Sequence, residues 1–257
     1  MLLAADIGNT NITLALFDGD KYIKDFRITS DRNLSPIEYR NILFSLFKDY
    51  KVDSCIIGSV VDELNLKFKS AIDKVFKINS VIVSNSMDLG FSIKIDNPDE
   101  LGADRIANAA TATTEYDKAV IVVDFGTATS FDIINSNKEF LGGVIAPGIR
   151  TQLNSLSTAT SKLPKCDPQH SNNTIGTNTI DAIMSGVLRG TAYMVDGIIE
   201  QCEMELDEQA VIIATGGNSS LVTCYCKRNF DKVDPHFTIK GLKYIYDRNK
   251  FNLKKEK

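Results

Sequence analysis

The stretch Ala4-Ala5-Asp6-Ile7-Gly8-Asn9-Thr10-Asn11 runs into Ile12-Thr13-Leu14-Ala15-Leu16-Phe17-Asp18-Gly19-Asp20. It reads as an apolar strand, a short Asp-x-Gly turn rich in amides and hydroxyls, and a second apolar strand. The pattern returns 118 residues later as Val122-Val123-Asp124-Phe125-Gly126-Thr127-Ala128-Thr129, then Ser130-Phe131-Asp132-Ile133-Ile134-Asn135. Asp6 aligns with Asp124, and Gly8 with Gly126. Both copies continue through turn residues, Asp18-Gly19-Asp20 and Asn135-Ser136-Asn137, toward a third strand. Two halves of about 120 residues, each opening with this hairpin, predict a duplicated α/β fold. The boundary is expected near Tyr116 to Lys118, giving halves 1–117 and 118–257.

The remaining sequence alternates strands and helices, which argues for α/β rather than α+β. Ser35 to Phe47 reads as a helix and Ser54 to Val61 as a buried strand. Leu64, Phe68, Ala71, Ile72, Val75 and Phe76 share one helical face. Val81-Ile82-Val83 reads as a strand, and Asp99 to Tyr116 as an alanine-rich helix. A long helix is predicted over Thr179 to Leu206, striped by Ile180, Ile183, Met184, Val187, Leu188, Val195, Ile198 and Ile199. Gly186 and Gly190 should weaken it unless another backbone packs closely there, from this chain or a second copy. Val211 to Ala214 reads as a buried strand ending in Thr215-Gly216-Gly217, and Ile239 to Asp247 as a closing helix. A polar loop is expected at Cys166 to Asn173 and a frayed basic tail at Lys254-Lys255-Glu256-Lys257.

Composition narrows the function. The chain has 257 residues, 43% hydrophobic and 24% charged, with a net charge of −4. Enough apolar surface exists to bury, so the chain is not a disordered one. There is no positive excess to neutralise phosphates, which disfavours a nucleic-acid binder. The apolar run Met1 to Ala5 stops at Asp6, too short for a signal segment or a membrane span. Five cysteines form no CxxC pair, and only His170 and His236 could join them, so a zinc site is not expected. Reduced thiols in a cytoplasm fit better.

Two motifs carry chemistry. A strand ending in Asp-x-Gly-Asn-Thr puts a carboxylate where it can meet a hydrated Mg²⁺. The glycine lets backbone approach a phosphate, and the amides and hydroxyls that follow can donate to its oxygens. One copy alone is equally well a hairpin turn. Two copies, with Thr215-Gly216-Gly217 after a buried strand, favour an ATP cleft between the halves. No GxxxxGK[ST] string is present, so this is not a P-loop; no GxSxG elbow is present either. The second motif is Asn97-Pro98-Asp99-Glu100-Leu101-Gly102-Ala103-Asp104-Arg105-Ile106-Ala107-Asn108. It places Asp104 and Arg105 in or near the first helical turn, where the dipole keeps a carboxylate ionised. Asp104 could accept a hydroxyl proton and Arg105 grip an anion; equally, the two could cap the helix and pair on its surface.

The ordered set Asp6-Ile7-Gly8-Asn9-Thr10, Gly102-Ala103-Asp104-Arg105, Asp124-Phe125-Gly126-Thr127-Ala128, Gly142-Gly143-x-Ile145-x-Pro147-Gly148, Ile175 to Thr179 and Thr215-Gly216-Gly217 resembles the type III pantothenate kinase family. That family lies in the acetate and sugar kinase/Hsp70/actin superfamily. The resemblance implies two ribonuclease H-like domains with mixed sheets flanked by helices. It implies ATP-dependent phosphorylation of pantothenate, the first step of coenzyme A synthesis. Under it, Asp6, Ile7, Gly8, Asn9, Thr10, Asn11, Ile12 and Thr13 hold the ATP phosphates, with Asp6 near Mg²⁺, and Thr127 also contacts ATP. Asp104 matches the proton acceptor. Gly102, Ala103, Arg105 and Thr179 match pantothenate contacts. Asp124 matches the ligand of an activating K⁺ or NH₄⁺. The family often has tyrosine where this chain has Ile95, which removes a hydroxyl and an aromatic face from the substrate site. Family members form homodimers, and the glycine-containing helix from Thr179 offers a surface for one. Two other readings share the fold: a phosphatase or nucleotide hydrolase, and a nucleotide-binding regulator without turnover.

Overall fold

A computed structural model describes residues 1–253; the basic tail lies outside the described residues. The chain divides into two compact units.

The first unit comprises Met1–Ser92, Asp96–Thr114 and Phe237 to the end of the described chain. Its strands are β1 (Leu2–Ile7), β2 (Asn11–Asp18), β3 (Lys21–Thr29), β4 (Ser54–Ser59) and β5 (Val81–Ile82), in sheet order β3-β2-β1-β4-β5. β1 runs antiparallel to β2 and parallel to β4. Helix α1 (Pro36–Phe47) starts where its sequence says it should. Ser35 Oγ accepts from the Glu38 amide, Glu38 Oε2 accepts from the Ser35 amide, and Pro36 fills the first helical position. α1 and α2 (Asp62–Phe76) bury Tyr39, Leu43, Phe47, Leu64, Phe68 and Ile72 against one sheet face, which carries Leu3, Ala5, Ile7, Leu14, Leu16 and Ile57. The opposite face carries Ala4, Asp6, Thr13 and Gly58, because side chains alternate along a strand. Ala103 of helix α3 (Ala103–Glu115) packs beside Gly58 on that face.

The second unit comprises Ile93–Ile95 and Glu115–His236. Its sheet order is β11-β10-β7-β8-β9-β6, from β6 (Ser92–Ile93), β7 (Val120–Phe125), β8 (Ala128–Ile134), β9 (Glu139–Pro147), β10 (Val211–Thr215) and β11 (Lys232–Val233). Without the edge strand β6, this repeats the first unit strand for strand. β7 is antiparallel to β8 and parallel to β10, as β1 is to β2 and β4. Helices α4 (Ile149–Ala159), α5 (Thr179–Leu206) and α6 (Ser219–Thr223) complete this unit, and α5 buries Ile183, Val187, Leu188, Val195 and Ile199 in its core.

The structure departs from the sequence reading at several points of the fold. The last helix, α7 (Phe237–Leu253), belongs to the first unit and not to a half spanning 118–257. Its Leu242 packs on Gly58, and the Phe237 carbonyl accepts from Thr111 Oγ1 at 2.8 Å. Helix α3 begins at Ala103, not Asp99: Pro98–Glu100 form a separate 3₁₀ turn and Leu101 is extended. Gly186 and Gly190 are not close-approach sites within this chain, since a Cβ at either would meet nothing within 4 Å.

Candidate active site

In the first unit, Asp6 is the penultimate residue of β1, paired in register with Thr13 of β2 and Gly58 of β4. The turn beyond it is closed by the Gly8 amide donating to the Asn11 carbonyl at 3.0 Å. Ser30 Oγ donates to the Gly8 carbonyl at 2.5 Å, and Arg32 Nη2 to Asn9 Oδ1 at 3.1 Å. Asn9 and Thr10 remain exposed, while Asp6, Gly8, Asn11 and Thr13 are partly buried; Ile7 and Ile12 are core. Burial raises the Asp6 carboxyl to about 7; the Asp104 charge adds to this and the Arg27 charge opposes it. Asp6 and Asp104, far apart in sequence, are thus electrostatic neighbours.

Asp104 is the second residue of α3 and partly buried. Its Oδ1 accepts from the Arg105 amide at 2.8 Å. The helix starts there because Gly102 permits it. A Cβ on Gly102 would lie 2.6 Å from Asp104 Oδ1 and 3.3 Å from Val60 Cγ1. Burial pushes the Asp104 carboxyl above its ordinary range, and the amide and charge of Arg105 only partly offset it. The helix dipole is expected to keep Asp104 ionised; burial works against this and is the largest influence on the carboxyl.

In the second unit, Asp124 is the penultimate residue of β7, paired with Ser130 of β8 and Thr215 of β10. Ser130, not Phe131, is therefore the counterpart of Thr13, because the second turn is one residue shorter. That turn is closed by the Gly126 amide donating to the Ala128 carbonyl at 2.9 Å. Thr127 is exposed at its tip, and its carbonyl accepts from Thr151 Oγ1 at 2.7 Å and from the Gly148 amide at 3.1 Å. Thr215-Gly216-Gly217 lies directly against Asp124 and Phe125. Gly216 has φ +87°, and a Cβ there would collide with Asp124 Oδ1 and the Phe125 backbone, so both conformation and space demand glycine. Asn218 then donates its backbone amide to the Phe125 carbonyl at 3.2 Å. Thr215 Oγ1 is buried with no hydrogen-bond partner.

Thr179 is the first residue of α5, exposed, just after the cap Asn178, whose Oδ1 accepts from the Asp181 amide at 2.9 Å. Ile95 is partly buried beside Gly142 of β9. The structure thus brings together Asp6, Thr13, Gly102 and Asp104 in one unit, and Asp124, Gly126 and Thr215 in the other. Arg27 of β3, in register with Thr13, has no counterpart in the sequence motifs. Only the strand pairing exposes it.

A sequence model of the type III pantothenate kinases matches residues 2–201. The chain belongs to the type III pantothenate kinase family. The type III pantothenate kinase of Dehalococcoides mccartyi strain CBDB1 is 38% identical over 97% of this chain and 96% of its own length. That of an Exiguobacterium species, strain AT1b, is 37% identical over 97% of this chain and 99% of its own. Solved structures share the fold at low identity. The ethanolamine utilization protein EutJ from Carboxydothermus hydrogenoformans has a TM-score of 0.55 at 13% identity, covering 95% of this chain and 88% of that one. Component A of the Acidaminococcus fermentans (R)-2-hydroxyglutaryl-CoA dehydratase has a TM-score of 0.55 at 14% identity, covering 98% of each. These neighbours share with the chain a mixed α/β fold of two sheets flanked by helices. As a type III pantothenate kinase, the protein transfers phosphate from ATP to pantothenate, in coenzyme A synthesis. No helix among the described residues is long and apolar enough to cross a membrane.

Proposed function

We propose that Asp104 accepts the proton of the pantothenate hydroxyl while Asp6 through Thr13 hold the ATP phosphates. The observation that carries this is that α3 starts on the sheet face that bears Asp6, with Ala103 beside Gly58, so that the Asp104 charge repels that of Asp6. The new bond joins the hydroxyl oxygen to the γ-phosphorus. The bond from that phosphorus to the β–γ bridging oxygen breaks, ADP leaves, and the hydroxyl proton ends on Asp104. A carboxylate held above its ordinary range takes that proton more readily. Phosphoryl transfer otherwise asks mainly for positioning and charge neutralisation. Gly102, Ala103 and Arg105 carry pantothenate in this reading, with Thr179; Thr127 contacts ATP. Ile95 offers only an apolar contact where relatives often have tyrosine.

Mg²⁺ and a monovalent cation fit the donors present. Asp6 is a hard oxygen donor whose burial disfavours its charge, and a cation would relieve that. Mg²⁺ would be held by the Asp6 carboxylate together with water and the ATP phosphates. Asp124 would hold K⁺ or NH₄⁺, and the unpartnered Thr215 hydroxyl beside it is a second oxygen donor. When bound, these cations offset charge developing on the transferred group.

The test is ADP release by the purified protein with ATP and Mg²⁺, with and without pantothenate, in K⁺ and then in Na⁺. Release that requires pantothenate and is several-fold faster in K⁺ is expected. Release without pantothenate would instead support a hydrolase, and ATP binding without release a regulator. Equal rates in K⁺ and Na⁺ would remove the Asp124 assignment.

We also propose a homodimer formed through α5. Its Gly186, Gly190 and Gly197 meet nothing of this chain, and Tyr193 between them is 50% exposed. Close approach of a second helix would use those glycines. Light scattering should give twice the 28.3 kDa chain mass, and Gly190→Leu should return the monomer. A monomer in the wild type at micromolar concentration would end this proposal. Five free thiols, Cys55 buried and Cys224 exposed, fit a reducing cytoplasm.

A further inference from the structure

We propose that Arg27 contacts the terminal phosphoryl group of ATP and holds it during transfer. The inference rests on the family's kinase reaction and on the assignment of Asp6 through Thr13 to the ATP phosphates.

Strand register places Arg27. On β3 it stands directly opposite Thr13, which stands directly opposite Asp6 on β1. Directly opposed residues in antiparallel strands project to the same face. Arg27, Thr13 and Asp6 therefore form one polar row across three strands, spanning about 10 Å. The neighbours of Arg27 fix that orientation. Phe26 and Ile28 pack on the core side, with the Phe26 ring 4.9 Å from Phe47 and 6.4 Å from Tyr50. A slip of β3 by one residue would expose both, so the register is well anchored.

Arg27 is exposed on the row's outer end, and its charge is felt at the Asp6 carboxyl. It has no hydrogen-bond or ion-pair partner among the described residues. Arg32, the other arginine near this turn, already donates to Asn9 and pairs with Glu63 at 3.5 Å. The duplicated unit supplies an internal comparison. There Ser130 pairs with Ile145, so the position matching Arg27 is an isoleucine, 65% exposed. The sheet does not need a cation at this position to fold. In the first unit alone, the position carries a planar guanidinium, on the same face as Asp6 and at the other end of the row.

That placement suits one ligand chemistry. Guanidinium presents parallel N–H donors that match two oxygens of a phosphoryl group. During transfer, charge spreads over the three equatorial oxygens of the migrating group. Arg27 stands on the β3 side of Asp6, whereas Ala103, the neighbour of Asp104, packs beside Gly58 on the β4 side; a cation on the β3 side can hold that group without touching the attacking hydroxyl. Arg27 would then favour ATP over ADP, because only ATP offers the terminal phosphoryl.

The experiment measures ATP and ADP binding by calorimetry, and pantothenate-dependent ADP release, for wild type, Arg27→Gln and Arg27→Lys. For Arg27→Gln, ATP affinity is expected to fall about tenfold or more while ADP affinity changes less than about twofold. Its kcat should fall about 10- to 1,000-fold with the KM for pantothenate little changed. Arg27→Lys should recover part of kcat as a point charge without the fork. Thermal midpoints should stay close to wild type, since the side chain is exposed and makes no hydrogen bond or ion pair among the described residues; the one loss is its opposition to the burial cost at Asp6. Equal losses of ATP and ADP affinity, or kinetics of Arg27→Gln indistinguishable from an active wild type, would overturn the inference and leave the kinase reading intact. A wild type without pantothenate-dependent turnover would overturn the kinase reading itself.

Discussion

Asp104→Asn is expected to keep the fold and lose about 10²- to 10⁴-fold in kcat. The side chain keeps its shape, and an amide oxygen can still accept from the Arg105 amide, as Oδ1 does at 2.8 Å. The start of α3 is therefore preserved, with Gly102 still free of a clash. What is lost is the acceptor for the hydroxyl proton. A loose transition state lets that proton leave late, so the loss should fall on kcat while the KM for ATP and pantothenate move little. Burial also disfavours the Asp104 charge, so the variant should melt no lower than wild type. ADP release and a thermal melt check both halves of the expectation. Near-wild-type turnover would mean that another group takes the proton, and Asp104 would become a helix-start residue only.

The hairpins were legible in the sequence because their signals are local. Alternating apolar residues and an Asp-x-Gly turn name a strand–turn–strand unit wherever they occur, and recurrence named the duplication. Long helices were legible for the same reason: Asn178 and the apolar stripe of α5 mark start and face. Helix α4 escaped because Thr151, Asn154, Ser155, Ser157 and Thr158 are poor helix formers; packing of Ile149 and Leu153 holds it in place. The return of α7 to the first unit is a long-range choice, made by the fit of Leu242 on Gly58 and the Thr111–Phe237 hydrogen bond. No window of sequence contains both partners.

The candidate site divides the same way. Asp6, Asp104 and Asp124 could be picked out by motif. Their mutual placement could not, since Asp6 meets Asp104 only when α3 packs on the first sheet. Arg27 was invisible because its meaning depends on strand register, and register is set by Phe26 and Ile28 seeking the core. The one-residue difference between the two turns is hidden too: the offset of 118 that aligns Asp6 with Asp124 carries Thr13 onto Phe131, whereas strand register matches it to Ser130.

Asp6→Asn should abolish most turnover and yet stabilise the ligand-free protein above pH 7. Asp6 titrates near its ordinary 3.8 in the unfolded chain and about 7 in the folded one, raised chiefly by burial and then by Asp104. Below 3.8 both states hold the proton, and the carboxyl costs nothing. Between 3.8 and about 7 the unfolded chain gives up its proton while the folded one keeps it, so stability falls as pH rises. Above about 7 the full cost stands. Its upper bound is about 4 kcal/mol, and solvent at this partly open carboxyl reduces it to on the order of 1–2 kcal/mol. Asparagine carries no such cost. In EDTA, the melting point of the variant should exceed that of wild type by a few degrees at pH 8 and by less at pH 5. Adding Mg²⁺ and ATP should raise wild type more than the variant, because only the carboxylate gains a cation. A variant less stable than wild type at pH 8 would show that protein partners already satisfy the charge. The carboxylate then would have no need of a metal. The opposite result would mean that the fold tolerates a destabilising group at this strand end, which is how a site kept for chemistry differs from one kept for packing.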